Sequence, residues 1–267
     1  MLPADVTLPM YPFPGGATPT AALGKALAQA LDRRGLPSRW QSPRIPNHKA
    51  LEALWLSSEL ALSQTCGLPL VETLAAKVRP LGTFLWTGVH SSIGRYRSFI
   101  VVRKNAPGRQ RLRPAINGFH SLSGWASLGV YVARQGLAVT PPVLTGSHRR
   151  SLEAISEGVA DIAAIDAVTW SLAYRTSPEM LRNCQVISEG PELPGLPLIT
   201  RTEGTPVTTL QSAIFEALDH SDGRQAARIL GIGGFVVQGI EDFDTVPALA
   251  REATTALPRP RSFRRYP

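Results

Sequence analysis

The sequence predicts an α/β fold in which parallel strands feed loops that open helices, and the stretch 114–170 carries that prediction. It reads as an apolar strand end, a hydroxyl-and-glycine loop at Ser121, Leu122, Ser123 and Gly124, and an amphipathic helix to about Gln135. The arrangement then repeats. Val143 and Leu144 close a strand, Thr145, Gly146, Ser147 and His148 form the turn, and Leu152, Ile155 and Val159 share a helical face before a second buried strand at 161–165.

Two helix N-termini opened by Ser and Gly at the carboxyl ends of parallel strands suit an anion, because free N–H groups and the positive end of the helix dipole converge there. Taken singly, each Ser-Gly start reads as an ordinary N-cap; the tandem is what points to a ligand. Ser121-Leu122-Ser123-Gly124 resembles the S-T-S-G loop of the phosphonate-type substrate-binding components of ABC transporters. Thr145-Gly146-Ser147-His148, with the run 158–166, resembles the same family's G-S-H and G-x-A-D-x-A-x-x-[DE] segments. The resemblance covers most of the chain in order, and its distinctive words lie in this central part. It implies a type 2 periplasmic-binding-protein fold: two α/β lobes, each a mostly parallel sheet flanked by helices, joined by two hinge strands and closing on a ligand. On that reading lobe I comprises residues 1–97 and 197–267, and lobe II residues 98–196.

A chain of 267 residues, 43% hydrophobic with mean hydropathy near zero, can bury a substantial core. Apolar runs such as 51–62 are interrupted by Glu and Ser well before membrane-spanning length, so no membrane-embedded segment is expected. Residues 1–5 show no basic region, apolar run or cleavage site, against the periplasmic habit of the resembled family; either the chain is trimmed or its start misplaced, or, as written, it is expected in the cytoplasm. Cys66 and Cys184 fit one disulfide or two thiols, with two buried small side chains as the preferred reading.

The net charge of +8 is unevenly spread: residues 73–151 hold twelve Lys or Arg and no Asp or Glu. Such a segment raises a positive potential that concentrates anions. It is also the footprint of a phosphate-backbone binder, but no zinc-finger, helix-turn-helix or RNP signature accompanies it, so no nucleic-acid partner is expected. Arg259, Arg261, Arg264 and Arg265 sit among prolines like a solvated extension.

In chain order, residues 6–10 suit a first strand, and 20–33 a helix. In the resembled family the loop after the first strand lines the cleft, which makes Tyr11 a candidate contact, with a packed aromatic as the rival reading. A short strand is expected at 38–40, a helix at 49–57, and a buried strand from Glu59 ending in a polar loop where the family places a second contact segment, hence Gln64, Thr65 and Cys66. A helix at 70–76 and a strand at 78–86 precede the unbroken β-type run 96–102, read as the crossing into lobe II. Residues 103–113 form a basic loop placed to overhang the ligand. Strands at 184–188 and 196–200, helices at 209–218 and 224–230, a glycine-rich helix stop at 231–235 and a last helix at 245–254 complete the chain.

The resemblance makes Ser121, Ser123, Gly124, Ser147 and His148 donors to a phosphate or phosphonate head. Leu122 departs from the family's Thr and removes a hydroxyl. Asp166 stands where the family carries an acid that meets a ligand amino group, and such a charge needs a partner when buried. Around Gly195 the family's second acid has no clear equivalent, Glu189 and Glu192 being near. The expected function is capture of a small oxyanion by a solute-binding protein, with an ABC transporter permease as its implied partner and no metal or cofactor. The alternative is an enzyme on the same fold acting on a small anionic metabolite, for which Cys66 with His148 or His90 is the set to consider.

Overall fold

Residues 3–43, 48–106, 108–258 and 264–265 are described by the computed structural model, and the chain groups into two units. The first takes in Met1–Gly88 and Gly195–Phe243, the second Val89–Pro194 and Asp244–Pro267, so the chain passes from one to the other at three places. The third passage differs from the sequence expectation, which keeps 244–267 with lobe I. Packing explains it. The helix Val246–Ala256 lies so close on the helix Ser127–Arg134 that a Cβ added to Gly129 would stand 2.7 Å from the Ala253 Cβ. Trp125 Nε1 also donates to the Leu257 carbonyl at 2.9 Å, and Arg134 pairs with Glu252.

The first unit's six-stranded sheet runs in the order Ile232–Val236, Arg79–Trp86, Pro197–Thr200, Leu60–Gln64, Ala4–Val6, Ser38–Trp40. The last three pair parallel and the other joins are antiparallel, so the parallel arrangement expected from sequence occupies one half of this sheet. Leu23, Leu27 and Leu31, spaced by four on the helix Ala17–Asp32, bury with Leu210, Ile214, Ala227 and Leu230 of two later helices. The strand Ile232–Val236 is not legible in its glycines. Gly231 does stop the preceding helix in the left-handed region (φ 81°), but the chain then turns into a sheet edge. There Gly82 (φ 146°) has the Val236 carbonyl 2.2 Å from where a Cβ would stand. The first strand is shorter than expected, Ala4–Val6, with Pro9 lacking the N–H that would extend it.

The second unit's sheet runs Cys184–Glu189, Ser98–Arg103, Ile162–Asp166, Pro114–Ile116, Val143–Leu144, Arg264–Arg265. From Ile162–Asp166 onward all neighbours are parallel. The run 96–102 is broken at Arg97: Arg95–Tyr96 pairs with Leu193–Pro194, and Ser98–Arg103 enters the sheet. Leu152, Ile155, Ala163, Ile165 and Cys184 form its core. Arg264–Arg265 pairs with Val143–Leu144 instead of extending into solvent, whereas Arg259 and Arg261 lie outside the described residues. Among the described residues no helix is long and apolar enough to cross a membrane.

The parallel run places the carboxyl ends of Pro114–Ile116, Val143–Leu144 and Ile162–Asp166 along one edge. The described part of the basic loop, 104–106 and 108–113, lies at the opposite edge, a strand length of roughly 15 Å away, and does not overhang the candidate site. It is fastened there. Arg113 donates to Asp161 through Nε at 2.9 Å and Nη2 at 2.7 Å, and Arg109 lies 3.2 Å from the same carboxylate.

Burial pushes the Asp161 carboxyl up, but the hydrogen bonds and charge of Arg113, with the charge of Arg109, outweigh it and hold the group below its ordinary range. A folded value below the unfolded one gives stability that is complete above about pH 3.9 and is lost as pH falls through the folded value. Asp161→Asn should therefore cost about 2 kcal/mol at neutral pH, less than a fully buried pair because the Arg113 side chain is 31% exposed. The variant should also lose less on acidification than the wild type. Urea unfolding at neutral and acid pH measures both, and identical curves for the two proteins would contradict the assignment.

Candidate functional site

Each loop at the carboxyl edge is a helix cap first. Ser121 is extended (φ −95°, ψ 119°) and its Oγ accepts from Gly124 N at 2.9 Å. The helix it opens begins with a wide turn, Leu122–Ala126, in which Ala126 N reaches back to the Ser121 carbonyl at 3.1 Å. Glycine is required at 124: a Cβ there would stand 1.8 Å from Asn117 Oδ1. Ser147 caps the helix His148–Ser156 by accepting from Arg150 N at 3.2 Å. Asp166 caps Ala167–Thr176, its Oδ1 accepting from Thr169 N at 2.8 Å and its Oδ2 from Thr169 Oγ1 at 2.5 Å.

One ring joins the three caps. His148 Nε2 lies 2.8 Å from Ser123 Oγ and 3.2 Å from Asp166 Oδ2. Ser121 Oγ is 3.5 Å from Ser123 Oγ, and Ser98 Oγ donates to the Ser123 carbonyl at 3.0 Å. The cluster is buried: Ser121 is 4% exposed, Ser123 6% and Asp166 1%. A carboxylate only accepts, so Asp166 favours the tautomer with the proton on Nε2, and in that tautomer Ser123 Oγ accepts from the same N–H. Burial pushes the His148 pKa below the ordinary imidazole value; the Asp166 charge and the Ala164 backbone pull it upward but do not offset burial. The ring is neutral at pH 7.

This is not a nucleophile-base-acid relay. Such a relay needs the acid on Nδ1 and the nucleophile on Nε2, whereas here both partners share Nε2. Cys66 and Cys184 are both thiols, and burial pushes Cys184 up to about 11, where it is inert at neutral pH.

Of the sequence candidates, Ser121, Ser123, Gly124, Ser147, His148 and Asp166 come together at this edge. Asp166 finds its partners within the unit, in His148 and Thr169, and both its oxygens are engaged. Glu192 accepts from Ser92 and faces Arg95 and Arg97, while Glu189 faces Arg97. In the first unit Tyr11 has a left-handed backbone (φ 59°) and packs edge-on against Trp86 at 5.0 Å. Gln64 is 2% exposed and Thr65 0%, with Thr65 N donating to the Pro197 carbonyl. Sequence reasoning missed Thr169 and Thr145. Thr169 stands at the cap spacing Asp-x-x-Thr, a readable signal. Thr145 Oγ1 lies 3.0 Å from the Ile116 carbonyl and 2.7 Å from Ser151 Oγ, and nothing local announces that role. Among the described residues no group of three or more His, Cys, Asp or Glu could hold a metal ion.

Residues 46–243 match the family described as ABC transporter, phosphonate, periplasmic substrate-binding protein. The chain belongs to this family of phosphonate substrate-binding proteins. It is similar in fold to the PhnD1 protein of Prochlorococcus marinus in complex with methylphosphonate, at TM-score 0.74 and 14% identity over 93% of this chain and 97% of that one. The binding-protein component of a Pseudomonas aeruginosa ABC phosphonate transporter superposes at TM-score 0.75 and 15% identity, over 96% of this chain and 88% of the other. A Xanthomonas citri protein bound to ATP gives 0.69 and 14%, over 95% and 97%. No curated protein matches the chain. The α/β two-lobed fold of these binding proteins, expected from the Ser-x-Ser-Gly and Gly-Ser-His loops, is therefore the fold of this chain, and its role is that of a solute-binding component of an ABC transporter.

Because the Asp166 charge pulls the His148 pKa upward, Asp166→Asn should move it further down. An NMR pH titration of the imidazole reads this directly, and an upward movement in the variant would contradict the geometry.

Proposed function

We propose that this phosphonate-family protein captures a small tetrahedral oxyanion, a phosphonate, phosphate or close relative, for delivery to a transporter permease. The observation that carries the reading is the 2.8 Å Ser123–His148 bond, which brings two helix N-termini onto one group. The donors are neutral: the Ser121 and Ser123 hydroxyls and backbone N–H groups of the two helix starts, with the His148 imidazole, oriented by Asp166, holding Ser123 in place. The family match supports this, as do the ligands of two neighbours, methylphosphonate and ATP, which share a tetrahedral phosphorus oxyanion. Tyr11, Gln64 and Thr65 enter the proposal on the family resemblance. The partner is a small anion and not a nucleic acid. Six of the twelve cations in the acid-free segment are already paired inside the second unit: Arg95, Arg97, Arg109, Arg113, Arg134 and Arg149. The His148 cluster offers an enzymatic role no relay, since both its partners share Nε2.

A ligand that binds only the folded protein stabilises it by about 2.7 kcal/mol at 100 times its Kd. Thermal-shift assays with phosphate, phosphite, methylphosphonate and an aminoalkylphosphonate should therefore raise Tm for at least one, and Ser123→Ala and His148→Ala should abolish the rise. A wild-type protein stabilised only by uncharged or cationic solutes would sink the proposal.

A further inference from the structure

We propose that Ser98 is a positioning residue for the anion: its hydroxyl takes the place of a helix amide at the Ser123 carbonyl and so holds open the wide turn that presents Ser121, Ser123 and Gly124. The inference rests on the oxyanion reading above and adds to it a residue outside the loops.

In a regular helix each N–H returns to the carbonyl four residues back, so the Ser127 N–H would meet the Ser123 carbonyl. Here it does not. The turn Leu122–Ala126 is one residue wider, with the Ala126 N–H going to the Ser121 carbonyl and the Ser127 N–H to the Leu122 carbonyl. The Ser123 carbonyl thereby loses its regular partner, and the buried Ser98 hydroxyl donates to it at 3.0 Å. Ser98 is itself well fixed. It opens the strand Ser98–Arg103 opposite Asp166, its carbonyl accepts from Gly190 N at 2.8 Å, and the preceding Arg97 carbonyl accepts from Ala167 N at 3.0 Å. A support built on a strand holds a site more closely than one built on a loop. One strand end thus sets both partners of the His148 imidazole: Asp166 through the sheet, and Ser123 through its carbonyl.

Removing the hydroxyl leaves a buried carbonyl without that donor, which is costly, and the Ser127 N–H is the group a regular turn would return to it. The turn then closes to the regular form and moves Ser121 relative to Ser123 and Gly124. A ligand that needs the wide turn binds with an affinity reduced by the fraction of molecules that keep it. Ser127 supplies the contrast. It is fully buried and lies where a Cβ on Gly190 would stand 2.1 Å from its Oγ, yet that Oγ has no hydrogen-bond partner among the described residues.

Isothermal titration calorimetry of the full chain with methylphosphonate, beside ¹⁵N spectra of the unliganded proteins, tests this. Ser98→Ala should weaken methylphosphonate about tenfold or more and move the Ser127 amide resonance, whose N–H changes partner. Ser127→Ala, which removes an equally buried hydroxyl from the same helix, should leave the affinity unchanged. Ser98→Cys keeps a weaker S–H donor in place and should fall between wild type and Ser98→Ala, and it supplies the reading if the Ala variant does not fold. Ser98 variants that bind methylphosphonate as the wild type does would overturn the inference. Affinity lost with the Ser127 amide unmoved, or lost equally in Ser127→Ala, would overturn it too, by placing the effect in general packing. A wild-type protein that binds neither methylphosphonate nor phosphate would bring down the oxyanion reading and this inference with it, an outcome distinct from a wild type that binds and variants that bind equally well.

Discussion

A single imidazole nitrogen with two partners holds the second unit's candidate edge together. His148 Nε2 meets the Ser123 hydroxyl from one helix start and the Asp166 carboxylate from another, while its own helix is capped by Ser147. A buried carboxylate is costly unless donors surround it, and the Thr169 N–H, the Thr169 hydroxyl and the imidazole N–H supply them. That engagement favours the tautomer with the proton on Nε2, in which the Ser123 hydroxyl accepts. The chemistry of the site is thus a chain of acceptor and donor choices that starts at an N-cap.

The edge exists because three strands run parallel. Pro114–Ile116, Val143–Leu144 and Ile162–Asp166 end on the same side, so loops far apart in sequence emerge side by side. The opposite edge carries the basic loop, closed on Asp161. Charge that looks concentrated along the chain is thereby distributed by the fold: acids at 153, 161, 189, 192 and 252 meet the arginines of the acid-free segment. An attraction for anions argued from linear charge is weaker than it looks, and neutral dipolar donors carry the account instead.

The strand-loop-helix repeat was legible because its signals are local: a β-type run, a Ser cap, then apolar residues at helical spacing, as at Val143, Ser147 and Leu152. The family words came from the same residues. What joins the loops was not legible, since Ser123 and His148 are 25 residues apart and only the parallel register brings them together. The strand Ile232–Val236 hid behind glycines that read as a helix stop, and both readings are true of adjacent residues. The placement of the last helix depended on the close contact between Gly129 and Ala253, a packing fact with no local trace. Asp166 stands at the edge where its place in the sequence puts it, and its engagement by Thr169 and His148 had no part in that reading.

The central claim is that the helix starts at 121–124 and 147–150 receive the anion. Adding methylphosphonate to ¹⁵N-labelled protein and following the backbone amides tests it most directly, because an oxyanion held by N–H groups shifts those resonances first. The account predicts that the largest saturable shifts fall on Ser123, Gly124, His148 and Arg149. Saturable shifts confined to other parts of the chain, with these four amides unmoved, would contradict it.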